Sequence, residues 1–178
     1  MKAAQYKQAA GGGGVIRLSD GALVPHDRAN RDYSEYLAWV AAGGIVEPER
    51  SVDDARAFAL GSLEAGCAVS ITEGFTSAAL GAAYRYPSKA SDQSNLQASV
   101  LASLFPGLAE DWTTPFWCQD VAGTWAYRPH TAAQIQQVGT DGKDAINACI
   151  AHKIQLEQQL AKAETLAEVE STTWTAPQ

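Results

Sequence analysis

No stretch of this 178-residue chain is apolar for long enough to cross a bilayer. The longest tracts, such as Ala78 to Ala83, fall far short of the roughly 18 residues that a span requires. Gln5 and Gln8 stand where a signal peptide needs an apolar run, so the expectation is a protein that stays in the cytoplasm where it is made, without membrane insertion. Cysteine is scarce. Cys67, Cys118 and Cys149 are odd in number and lack CxxC spacing, which indicates neither a disulfide framework nor a zinc knuckle, and they read as small buried apolar residues. Positive charge is scarce too: 13 Lys and Arg stand against 20 Asp and Glu, for a net charge of −7. That balance argues against binding a phosphate backbone, so nucleic acid is not an expected partner. Nucleophile and phosphate-loop motifs are missing as well. There is no GxSxG, and Gly139-Thr140-Asp141-Gly142-Lys143-Asp144 imitates a phosphate loop without the GxxxxGK[ST] spacing.

What is present reads as an α+β protein. Met1 to Ala10 has the composition of a short helix, marginal alone, and Gly11 to Gly14 end it with flexible residues, so 1–14 reads as an arm on a tether. Val15 to Leu18 and Ala22 to Val24 flank Ser19-Asp20-Gly21 as a hairpin. Asp32 to Val40 carries Tyr33, Tyr36, Leu37 and Val40 at helical spacing, which makes 15–48 a hairpin and helix for attachment. Ile45 to Glu49 looks like a linker. From residue 51 to 178 a mainly helical domain follows. Ser51 caps a helix stopped at Gly66, and Ala68 to Thr72, Gly74-Phe75 and Leu80 to Tyr86 are short strands. Ser91 caps the next helix. Pro115 to Gln119 and Thr124 to Arg128 form a second hairpin, Ala132 to Val138 a short helix, Gly139 to Gly142 a turn, and Lys143 to about Glu170 one long final helix.

The stretch Tyr84 to Leu96 is the junction around which the larger domain is organised. Pro87 fixes φ, lacks an N–H and pushes Tyr86 out of the α region, so the strand ends there. Asp92 and Gln93 suit the first turn of the helix that carries Leu96, and Asn95 completes a polar cluster. Asp92 and Asn95 are expected to bond to the backbone of the Pro87 turn or the neighbouring hairpin. Cys118 and His130 flank one hairpin and are a candidate thiolate and imidazole pair, against the simpler reading of a core cysteine and a polar helix start. His26 and His152 lack partners at metal-ligand spacing. Asp53-Asp54 and Glu110-Asp111 lie at helix ends, where dipole and solvation account for them. Trp39 reads as core. Trp117 and Trp125 fit either an exposed surface for partner or glycan binding or the core.

Tyr86-Pro87-Ser88 with Asp92-Gln93-x-Asn95-Leu96, Pro115-Phe116-Trp117-Cys118, Gly123-x-Trp125, His130-Thr131 with Gln134, Val138-Gly139, and Thr165-Leu166-x-Glu168-Val169 before Trp174 together resemble a domain of unknown function found in tail proteins of bacteriophages and prophages. The resemblance spans about Ser51 to Trp174. Val15 to Pro48, with Asp20-Gly21, Val24-Pro25 and Tyr36-Leu37-Ala38-Trp39, similarly resembles the N-terminal piece of small tail-fibre-associated proteins. The resemblance implies a non-enzymatic virion component at the distal tail, with no catalytic, metal or cofactor residues. It would be assembled in the host cytoplasm in several copies, against other tail proteins such as fibre or baseplate subunits. Trp117, Trp125, His130 and Gln134 are its candidate partner contacts. Two alternatives remain: a tail-fibre assembly chaperone absent from the particle, and a glycan-binding or hydrolytic module using Trp117, Trp125 and His130.

Overall fold

The computed structural model describes residues 5–177 and is α+β. The first four residues of the expected arm lie outside the described residues. The rest of that arm is not a helix on a tether. Tyr6–Gln8 is a strand, β1, paired antiparallel with Gly14–Arg17, β2, which in turn pairs with Leu23–Pro25, β3. The glycines shape the turn between β1 and β2, with φ of 74° at Gly11 and 70° at Gly12. The reason lies in Tyr6: as a strand residue it turns inward, 5% exposed, with its ring centroid 5.1 Å from those of Tyr36 and Trp39. Burying a tyrosine against two aromatic rings outweighs the weak helical preference of so short a peptide.

Asn30 starts the helix Arg31–Ala41, α1, by accepting from the amides of Asp32 and Tyr33, and this presents Tyr33, Tyr36 and Trp39 to the sheet. The expected linker at Ile45 to Glu49 is instead bonded to β1. Gln8 N–H donates to Glu47 O at 2.8 Å, and Glu47 N–H donates to Tyr6 O at 2.9 Å.

Ser51 caps the helix Val52–Glu73, α2, through the amide of Asp54. This helix runs through Gly66 and through Ala68 to Thr72, with its β-branched Val69, Ile71 and Thr72, which overturns the expected stop and strand. Gly66 is there for packing: a Cβ on it would come within 2.5 Å of the Trp174 ring. The true stop is Gly74, with φ of 111°.

A four-stranded antiparallel sheet follows, in the order β4 (Phe75–Ser77), β5 (Tyr84–Tyr86), β6 (Thr113–Gln119), β7 (Trp125–Thr131). Helix α3, Ala90–Ala102, lies between β5 and β6 in the chain. It starts one residue before Ser91, so Ser91 is not its cap. Helix α4, Ala132–Lys162, is continuous over 31 residues, about 46 Å. The expected turn at Gly139 to Gly142 does not exist. Both end glycines sit inside the helix where neighbours press closest: a Cβ would meet Val100 at 2.7 Å from Gly139 and Phe75 at 2.8 Å from Gly142. The expected single run to Glu170 breaks at Ala163 instead, and Thr165 caps a separate helix, Leu166–Ser171, α5. Arg56 of α2 seals the break by donating to the carbonyls of Leu160 (3.1 Å) and Ala163 (2.8 Å) at the end of α4, where the helical ladder runs out.

The larger unit holds two cores. One joins the sheet to α3 and α4 through Phe75, Tyr86, Leu96, Phe116, Cys118, Ile135 and Val138. The other joins α2, α4 and α5 through Ala55, Leu63, Leu156, Leu160 and Val169.

Candidate functional site

Alternation along β6 and β7 sorts the hairpin into two faces. Phe116, Cys118 and His130 turn inward and are buried. Trp117, opposite Tyr127 in register, and Trp125, opposite Gln119, turn outward. Arg85 of β5 pairs with Gln119 and extends this outer face. Trp117 is 39% and Tyr127 68% exposed, their centroids 4.9 Å apart. The Trp117 and Trp125 rings stack at 6.1 Å and 14°. The result is a solvent-facing aromatic strip on a hydrogen-bonded sheet. Such a surface buries much apolar area on contact with a partner and loses little side-chain entropy.

The hairpin is stiffened at its tip. Asp120 Oδ1 accepts from the amides of Ala122 and Thr124, and its Oδ2 accepts from Arg128 Nη2 at 2.6 Å. Arg128 also donates to Cys118 O and lies over the Tyr84 ring, 5.1 Å from its centroid. One guanidinium thus ties the turn, both hairpin strands and β5 together.

His130 is fully buried and cannot touch a partner, which corrects its place among the expected contacts. Its Nδ1 lies 2.9 Å from Arg128 O and its Nε2 2.9 Å from Tyr86 Oη. A carbonyl only accepts, so Nδ1 carries the proton, and Nε2 accepts from the Tyr86 hydroxyl. Burial lowers the His130 pKa and raises those of Tyr86 and Cys118. These shifts hold Cys118 as a thiol and His130 neutral, the opposite of an activated thiolate and imidazolium pair. Gln134 is likewise spoken for. Its Oε1 accepts from Thr131 N–H at 2.9 Å, and Thr131 Oγ1 accepts from Gln134 N–H, a capping box at the start of α4.

At the junction, Tyr86 is buried and Leu96 is 8% exposed. Asp92 accepts from Lys89 N–H at 3.0 Å, locking the start of α3 to the turn after Pro87. Gln93, rather than Asn95, makes the second tie, donating to Ser88 O at 2.8 Å. Asn95 is exposed and has no hydrogen-bond partner among the described residues. It stands nearly a full turn further along α3 than Asp92, about 4.5 Å further from the start of the helix. Sequence reasoning missed Tyr127 and Arg85. The signal for Tyr127 was its two-residue spacing from Trp125 on one strand.

Trp39 packs against Tyr6 but is only partly buried. Beside the junction, a groove of about 880 Å³ opens between α3 and α4, with Leu96, Val100 and Leu104 on one wall and Gly139 and Ile146 on the other. Among the described residues, no three His, Cys, Asp or Glu side chains converge to hold a metal ion.

A family model described as a domain of unknown function (DUF4376) matches residues 54–173, about two thirds of the chain. No curated protein and no solved structure matches it.

Proposed function

We propose that this chain, which belongs to the DUF4376 family of domains of unknown function, is a non-enzymatic structural component of a bacteriophage tail. It would act through protein contacts at the distal tail, baseplate or fibre attachment point. The observation that carries the reading is the outer aromatic face of the hairpin, where Trp117, Trp125 and Tyr127 stand on a sheet braced by Arg128 and Asp120. A rigid aromatic face of this kind suits an anchor for another subunit, because the core of an interface gains most from large, preordered side chains. The ordered resemblance of the junction and hairpin motifs to tail proteins supplies the setting.

The proposal is tested by mass spectrometry of purified virions. The expected result is that the protein is present at a fixed ratio to the other tail subunits. Its absence from particles whose fibres are assembled would overturn the structural reading in favour of an assembly chaperone.

A further inference from the structure

Strand β7 is the last of its sheet, paired with β6 on one side and with no strand on the other among the described residues. The register shows which of its backbone groups face the open side. Pro115 stands opposite Pro129, and since neither has an N–H the two cannot exchange hydrogen bonds, so theirs is a non-hydrogen-bonded position of the ladder. Such positions recur at every second residue. Trp117 opposite Tyr127 and Gln119 opposite Trp125 are therefore of the same kind, and the bond from Asp120 N–H to Thr124 O at 3.1 Å agrees. The N–H and C=O of Trp125 and Tyr127 thus point away from β6, and they have no hydrogen-bond partner among the described residues. This open row is short. Pro129 brings no donor, and the N–H of Thr131 is taken by Gln134. At the turn end, Gly123 N–H donates to Asp120 O and Gly123 O accepts from Gln119.

We propose that β7 pairs with β7 of a second copy of the chain, antiparallel about a two-fold axis at Ala126. That register sets Trp125 opposite the other copy's Tyr127 and Tyr127 opposite its Trp125, so every open N–H and C=O of the two residues meets its complement. The ends of the row favour a second copy over an unrelated strand. One step beyond, Pro129 falls opposite Gly123 of the other copy, so the residue with no donor faces one whose donor and acceptor are already used. An unrelated strand running on past Tyr127 would present to Pro129 a carbonyl that finds no N–H. On the outer face the pairing sets each Trp125 ring beside a Tyr127 ring, a cross-strand aromatic pair. Arg128, the one charged residue of β7, is neutralised by Asp120 and does not hold the copies apart. The inference concerns the edge of the sheet rather than its outer face and does not depend on the tail reading.

Tyr127→Pro tests it, because it deletes an outward N–H and leaves the bonds to β6 in place. Pro129, on the same side of the same strand, shows that β7 accommodates such a ring. In sedimentation of the full-length chain at micromolar concentrations, the native chain is expected as a dimer and Tyr127→Pro as a monomer with unchanged far-ultraviolet helix signal. Amide hydrogen exchange followed by NMR reads the native chain directly. The Trp125 and Tyr127 N–H groups are expected to exchange slowly in the dimer and freely on dilution to the monomer. If Tyr127→Pro fails to fold, the exchange measurement carries the test. A native chain that sediments as a monomer, a Tyr127→Pro that keeps the native dimer, or Trp125 and Tyr127 amides that exchange as freely in the dimer as in the monomer overturns the proposal.

Discussion

Tyr86 and His130 show how much one buried hydrogen bond decides. Removing the hydroxyl in Tyr86→Phe leaves His130 Nε2 buried without its donor, and the expected cost is about 1–3 kcal/mol, read from the urea midpoint. The same pair sets a pH dependence. Burial holds the folded-state pKa of His130 below its ordinary value of 6.5, so the unfolded chain takes up the proton first. The stabilisation is therefore whole above about pH 6.5 and declines as the pH falls below it. The urea midpoint is expected to drop between about pH 7 and pH 5.5, and His130→Gln to flatten that drop. The strand end at Tyr86 was legible because proline acts on its immediate neighbour. The burial of His130 was not, because it depends on which face of β7 meets the core, a matter of register that neighbouring residues do not encode.

Glycine divides the helices from their expected bounds. A glycine that ends a helix and one that lets another element approach look identical in a sequence: Gly66 reads as a stop and Gly139 to Gly142 as a turn, yet all lie inside helices. In an open helical site, glycine to alanine is worth about 1 kcal/mol of added stability. Here the sign reverses. Gly142→Ala drives a methyl into the Phe75 ring, and Gly66→Ala drives one into Trp174. Each is expected to destabilise by about 1–3 kcal/mol, checked by thermal or urea unfolding. Gly66→Ala should also shift Trp174 fluorescence, since that indole packs over the glycine and donates to Ser70 Oγ. Of the helix starts, the cap at Ser51 was legible because it bonds to an amide three positions on, whereas the cap at Thr165, equally local, lay inside the expected long helix and was missed.

Across the whole molecule, the α+β class and the order of hairpin, helix, sheet and long helix were legible, because hydrophobic periodicity and turn residues repeat over many positions. The outward aromatic face was half legible, with Trp117 and Trp125 in view and Tyr127 missed. The double substitution Trp117→Ala with Tyr127→Ala removes a cross-strand aromatic pair from the outer face. Its stability to urea should fall by only about 0.5–1.5 kcal/mol, while its recovery in purified particles falls several-fold. Equal recovery would mean that this face is not an attachment surface.

The pairing of β1 with Glu47 closes the N-terminal unit on itself, so the chain enters and leaves it side by side. Because the two segments run parallel, a pull applied at residue 5 and residue 49 draws them past one another, and the bonds from Gln8 N–H to Glu47 O and from Glu47 N–H to Tyr6 O are stretched together rather than opened in turn. The unit is therefore a shear clasp, in which a pull across its two ends loads both bonds at once.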